Sequence, residues 1–153
     1  MQKFAPAIAW LAVVLWVGSL WSIGYIAAPT LFAALNDRAL AGSLAGRMFT
    51  WVAYIGLVSG ALLLAYMFMA YGMRALREKF FWLALAMLGL TVIGHFGIQP
   101  ILSTLRAEAW PAEVMKSVVR SRFAAWHGVA SVLYLVQSLA GVALVLVARR
   151  AIK

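Results

Sequence analysis

The apolar positions of this chain run in four long blocks. Phe4–Asn36, Met48–Met73, Phe80–Leu105 and Phe123–Ala148 contain no Asp, Glu, Lys or Arg. The last three are 26 residues each and the first is 33. Roughly 20 apolar residues suffice to cross a bilayer core, so each block predicts one crossing helix. The first would be about 50 Å long as one straight helix, longer than a single crossing needs. Pro29, in "IAAPTLF", supplies the expected break. The first crossing then ends near Ala28, and Thr30–Leu35 lies along the interface or re-enters it. The spans fall at about 5–28, 48–72, 80–101 and 123–147. The predicted fold is all-α, an integral membrane four-helix bundle forming one domain over residues 1–153.

The linkers differ in kind. Gly72–Lys79 is a short basic turn, whereas Asn36–Arg47 and Arg106–Arg122 read as longer linkers carrying both signs of charge. In the last linker Pro111 opens a helix with Val114, Met115, Val118 and Val119 on one face and Glu113, Lys116 and Arg120 on the other. This pattern predicts an interfacial amphipathic helix before the fourth span, anchored by Trp110 and continuing in phase through Phe123 to His127. The first block is far longer than the roughly 7–15 apolar residues of a signal peptide, and it reads as a retained helix.

Polar residues inside the blocks fall in stripes. Thr91, His95 and Gln99 are four apart, and His127, Ser131, Tyr134 and Ser138 follow one helical face. Ser19, Ser22 and Tyr25 are three apart on the first block, and Thr50 and Tyr54 four apart on the second. Polar groups facing lipid would go unsatisfied, so these stripes predict inward faces. The only two histidines, His95 and His127, are expected at similar depth near the mixed-charge linkers. They predict a polar pocket between the third and fourth spans, built from His95, His127, Gln99, Thr91, Ser131, Tyr134 and Tyr54.

Composition narrows the class. The chain is 66% hydrophobic and 11% charged, against roughly 45–50% and 25% in soluble domains. With no cysteine, disulfides, thiolate catalysis and covalent c-type haem are excluded. The net charge of +9 is spread over linkers and ends. It predicts contacts with membrane lipids, anionic headgroups included, and no nucleic-acid binding. With both termini inside, one side holds Lys3, Arg74, Arg77, Lys79, Arg149, Arg150 and Lys153, and the other Arg38, Arg47, Arg106, Lys116, Arg120 and Arg122. The first set lies close to span ends, so the expected location is a bacterial inner (plasma) membrane with cytoplasmic termini. All four acids, Asp37, Glu78, Glu108 and Glu113, lie outside the spans, so no carboxylate relay crosses the bilayer. Nucleophile–base triads, zinc-protease helices and phosphate loops are missing as well.

Three readings of the pocket follow. The leading one is a non-enzymatic accessory or small-ligand-binding protein, alone, as a homo-oligomer or attached to a membrane complex. The second is a redox protein in which His95 and His127 hold a b-type haem, copper or zinc. The third is a channel or transporter for a small solute. "GYIAAPTLF" (Gly24, Pro29) and "GHFGIQPIL" (Gly94, Pro100), each followed by "RMFTW" or "RFAAW", suggest a two-plus-two repeat of hairpins. Coincidence of residues common at span ends explains them equally. "GLVSG" (Gly56, Gly60) and "GSLAG" (Gly42, Gly46) suit close helix approach, inside the bundle or between copies. Met67, Met69, Met73 and Met87 read as packing filler.

"WVGSLWSIGYIAAPTLFAAL", "AGSLAGRMF", "IQPIL" and "FAAWHGVASVLYLVQ" resemble the family of small four-helix membrane proteins catalogued as domain of unknown function 4149, which includes transmembrane protein 205-like proteins. The resemblance runs from about Trp16 to Leu146, and "APTLF" with the Phe123–His127 segment are its more specific parts. It implies a four-span membrane protein and carries no established activity, ligand or catalytic residue.

Overall fold

The computed structural model describes residues 4–108 and 117–152, and every regular element among them is helical. Four helices are long and apolar enough to cross a membrane: Ala5–Ala34, Arg38–Arg77, Lys79–Ala107 and Val119–Ala151.

Pro29 does not break the first helix. Ala5–Trp21 passes through a π-helical segment, Ser22–Ala27, directly into Ala28–Ala34. A proline lacks the amide hydrogen and its ring meets the carbonyl four residues back, which would end an α-helix. Here the turn before it is widened. The amide of Ala28 bonds to the carbonyl of Ile23, five residues back, and the chain carries the ring without stopping. The third helix repeats the device. Its π segment is Ile93–Ile98, the amide of Gln99 bonds to the carbonyl of Gly94, and Pro100 lies just inside the Gln99–Glu108 segment. In both helices the proline comes two residues after the π segment ends. That register pairs Gly24 with His95, one residue away from the Gly24–Gly94 pairing the sequence suggests.

The charge-free blocks also understate helix length. Most of the expected linker 36–47 is helix, because the Asp37 carboxylate caps it, accepting from the amides of Ala39 (2.8 Å) and Leu40 (3.0 Å). Arg38–Tyr71 then runs unbroken for 34 residues. Gly72 ends it at φ 55°, a left-handed position that suits glycine, and a short 3-10 turn, Gly72–Arg77, leads into the third helix. The fourth helix is Ser117–Ala151, entered without a break through Phe123 and His127. The amphipathic surface predicted around Trp110, Pro111, Glu113, Val114, Met115 and Lys116 lies outside the described residues, as does the side chain of Val118.

The helices pack in a ring, each on its two sequence neighbours, with the fourth closing on the first. Packing is tight at the end holding the chain termini. Trp16, Leu63, Met67, Phe80, Met87, Leu144 and Ala148 are fully buried there. Gly56 and Gly60 make room for Trp16. A Cβ at Gly56 would stand 2.6 Å from the indole nitrogen, and one at Gly60 3.1 Å from the ring's far edge. "GLVSG" therefore serves an internal contact, and Met69 and Met73, unlike Met67 and Met87, are exposed. The Tyr71 hydroxyl donates to the carbonyl of Ala151 at 2.9 Å, tying the second helix to the fourth.

Toward the other end the bundle parts. On the fourth helix no residue from Val119 to Val136 is buried, and burial begins at Gln137. The seam to the first helix is polar at that transition. The Tyr25 and Ser138 hydroxyls are 2.5 Å apart, and the Trp21 indole nitrogen donates to the Ser138 carbonyl at 3.4 Å.

Candidate functional site

The parted half encloses a cavity of about 970 Å³ bounded by all four helices. Its floor is set by Trp16, Thr91 and Gln137, its sides are mostly apolar, and Arg38, Arg106 and Arg120 stand toward its far end. Six of the seven residues expected from sequence line it: Thr91, His95, Gln99, His127, Ser131 and Tyr134. Tyr54 does not. It is exposed, and its ring meets His95 edge-on from outside, centroids 5.1 Å apart.

Most of these polar side chains donate to backbone carbonyls. The Thr91 hydroxyl donates to the Met87 carbonyl of its own helix at 3.0 Å and accepts from the Gln137 amide nitrogen at 2.8 Å. Gln99 donates across to the second helix, to the Gly46 carbonyl at 3.3 Å. Ser131 is exposed and spends its hydroxyl on the His127 carbonyl at 2.8 Å, within one helix. Tyr134 reaches the first helix, donating to the Leu20 carbonyl at 2.5 Å. Its ring lies over Gly24, where any Cβ would collide with it, and edge-on to Phe49 at 5.2 Å. Within the polar stripe of the fourth helix, Tyr134 and Ser138 thus meet the first helix, while Gln137 alone, among the polar bonds described, meets the third.

The two histidines share the cavity but not a level. His127 is exposed and stacks flat on Phe123, centroids 5.8 Å apart and planes 7° apart. His95 lies within the π segment and packs edge-on to Tyr54 and Phe96. The Gln137–Thr91 bond fixes a common level for the antiparallel third and fourth helices. From it, ten residues of rise carry His127 about 15 Å toward the open end, and four carry His95 about 6 Å. Side chains tilt toward the N-terminus of their helix, so His127 leans outward and His95 toward the floor. Helix rise alone offsets the two residues by about 9 Å along the bundle, against the similar depth expected from block ends.

Sequence spacing missed Gln137 and the three arginines. Gln137 lies off the stripe of His127 and Tyr134, and only its position in an apolar block signals it. Arg38, Arg106 and Arg120 were assigned to linkers, which the longer helices convert into cavity wall. Arg106 lies across Gly46, one guanidinium nitrogen 3.0 Å from where a Cβ would be. Gly46 of "GSLAG" therefore seats Arg106 and Gln99. No group of three or more His, Cys, Asp or Glu that could hold a metal occurs among the described residues.

Among known families, the one described as Domain of unknown function (DUF4149) matches residues 11–111. No curated protein and no solved structure matches the chain.

Proposed function

We propose that this chain, which belongs to the DUF4149 family, is an integral membrane protein that binds a small ligand between its helices and catalyses no reaction itself. Membrane insertion is supported by the outer surface. Leu11, Trp51, Phe96 and Val132 are each at least 60% exposed, a surface that water would not tolerate over four helices. In this reading both termini and the Gly72–Arg77 turn face the cytoplasm of a bacterial inner membrane, with Arg74, Arg77, Lys79, Arg149 and Arg150 on that side. The protein acts by holding its ligand, alone or as an accessory to a membrane complex.

The observation that carries the reading is the cavity. At about 970 Å³ it lies at the upper end of the roughly 300–1,000 Å³ of ligand sites. Its lining is apolar with a few converging polar groups, as such sites are. The test is purification in mild detergent, followed by mass spectrometry of extracted small molecules, a visible spectrum and metal analysis. The expected outcome is a colourless, metal-free protein with an organic molecule bound, absent from a variant whose cavity is filled by Ala130→Trp. A Soret band lost in His95→Ala and His127→Ala would overturn the reading in favour of haem.

A further inference from the structure

Three arginines from three different helices line this cavity, each near its helix's end on the open side: Arg38 at the start of the second, Arg106 at the end of the third and Arg120 at the start of the fourth. A lone cation near a helix end is ordinary. Three lining one mostly apolar cavity set up a positive field at one end of it. Asp37, beside Arg38, caps the second helix through the amides of Ala39 and Leu40 and is not among the residues that line the cavity. Arg106 lies over Gly46 and lines the cavity, presenting a planar donor to it.

Most of the remaining lining has the opposite character. Leu20, Ala28, Phe49, Val52, Leu90 and Leu133 present hydrocarbon. The floor does not ask for a polar group either. The indole nitrogen of Trp16 and the carbonyl oxygen of Gln137 lack hydrogen-bond partners, yet both atoms are covered by protein and out of reach from the cavity. Length is the third constraint. From Gly56, level with the Trp16 floor, to Arg38 is 18 residues of one helix, about 27 Å. That exceeds half of a hydrocarbon core of roughly 30 Å, so a chain entering at headgroup level can run past the midplane without leaving the cavity.

We infer that the cavity takes one molecule of an anionic amphiphile, with a carboxylate or phosphate head held by Arg38, Arg106 and Arg120 and its acyl chain lying in the space that the four helices bound. This rests on the ligand-binding reading above. Guanidinium groups suit both heads because their donors form a fork matched to paired oxygens. A cationic ligand would be repelled, and a neutral one would leave the arginine field unmatched.

The test uses the full chain, delipidated in detergent and titrated by native mass spectrometry with four probes: dioleoylphosphatidylglycerol, oleate, dioleoylphosphatidylcholine and glycerol 3-phosphate. The expected result is one anionic amphiphile bound per chain, about tenfold or more tighter than the phosphatidylcholine. The head alone does not bind. Preference for the phosphatidylglycerol identifies a membrane lipid as the source, and preference for oleate a free fatty acid. Arg106→Gln and Arg120→Gln each weaken the anionic probe about tenfold and leave the phosphatidylcholine unaffected. Arg120 is exposed, so Arg120→Gln serves even where Arg106→Gln does not fold. Ala130→Trp abolishes binding with the melting temperature of ligand-free protein unchanged. Equal affinity for phosphatidylcholine, or indifference to both arginine variants, overturns the anionic class, while loss of binding in Ala130→Trp still upholds the cavity reading. If Ala130→Trp binds every probe as wild type does, both readings fall.

Discussion

Gln137 and Thr91 join the fourth helix to the third at the level where the packed core gives way to the cavity. The Gln137 amide nitrogen donates to the Thr91 hydroxyl at 2.8 Å and to the Met87 carbonyl at 3.1 Å. Thr91 donates to that same carbonyl. Both amide hydrogens are committed, so the orientation of the side chain is set and its carbonyl oxygen is left buried without a partner.

That asymmetry predicts opposite results for two substitutions. Gln137→Leu removes the orphaned oxygen together with the bonds, and Thr91 keeps its own-helix partner. Such an exchange is close to neutral, with a stability change within about 1 kcal/mol. Gln137→Glu places a carboxylate opposite a carbonyl in a dry site and costs about 3 kcal/mol or more. Reversible unfolding in mixed micelles measures both. A large loss in the leucine variant would show that the bonds outweigh the orphaned oxygen.

Trp16 and Gly56 make a second pair that can be read by coupling. A methyl at Gly56 meets the indole nitrogen at 2.6 Å, a rigid edge in a fully packed core. Gly56→Ala is expected to cost about 1–3 kcal/mol. Trp16→Phe removes the atoms in the way, so the double variant should be more stable than the sum of the single losses predicts. Simple additivity would mean that the methyl is accommodated by helix movement, not blocked by the indole.

The seam between first and fourth helices gives a graded prediction. Tyr134→Phe keeps the ring over Gly24 and loses only the bond to the Leu20 carbonyl, at about 1 kcal/mol. Gly24→Ala displaces the ring itself, costs more, and opens the wall where Tyr134 and Phe49 meet. Thiol-labelling of a cysteine placed at Leu133, in the cavity wall, should accelerate in Gly24→Ala and barely change in Tyr134→Phe. The chain has no native cysteine to interfere.

These pairs also show where sequence reasoning reached and where it stopped. Four long helices were legible because absence of charge over 26 residues is a strong signal. The inward stripes were legible because helical spacing is regular over a few turns. Proline was misjudged as a stop, since nothing local announces the π turn that absorbs it before Pro29 and Pro100. The helix ends were misjudged because charge marks the limit of apolarity, whereas Asp37 shows that a cap marks the limit of the helix. Both errors propagate to the site. They turned Arg38, Arg106 and Arg120 into loop charges and set the histidines level with each other. Partner choice, such as Tyr134 with Leu20 and Gln137 with Thr91, depends on helix rotation in the closed ring, which no single stripe encodes.

The two histidines yield the last prediction. One metal ion held by both imidazoles requires ring nitrogens that converge on a point about 2 Å from each. Helix rise alone offsets the residues by about 9 Å along the bundle, and the side chains lean in opposite directions. Their observed neighbours agree: Phe123 lies one turn further out from His127, and Tyr54 packs on His95 from the second helix. A disulfide between cysteines at these positions would need Cβ atoms roughly 4 Å apart. Oxidation of the His95→Cys/His127→Cys variant should therefore leave two free thiols, each reactive to a maleimide, in protein that remains monodisperse. Zinc or copper titration of the wild type should show no tight site that His95→Ala and His127→Ala each abolish. Ready disulfide formation together with such a shared site would bring the two rings to one level and restore joint ligation as the cavity's purpose.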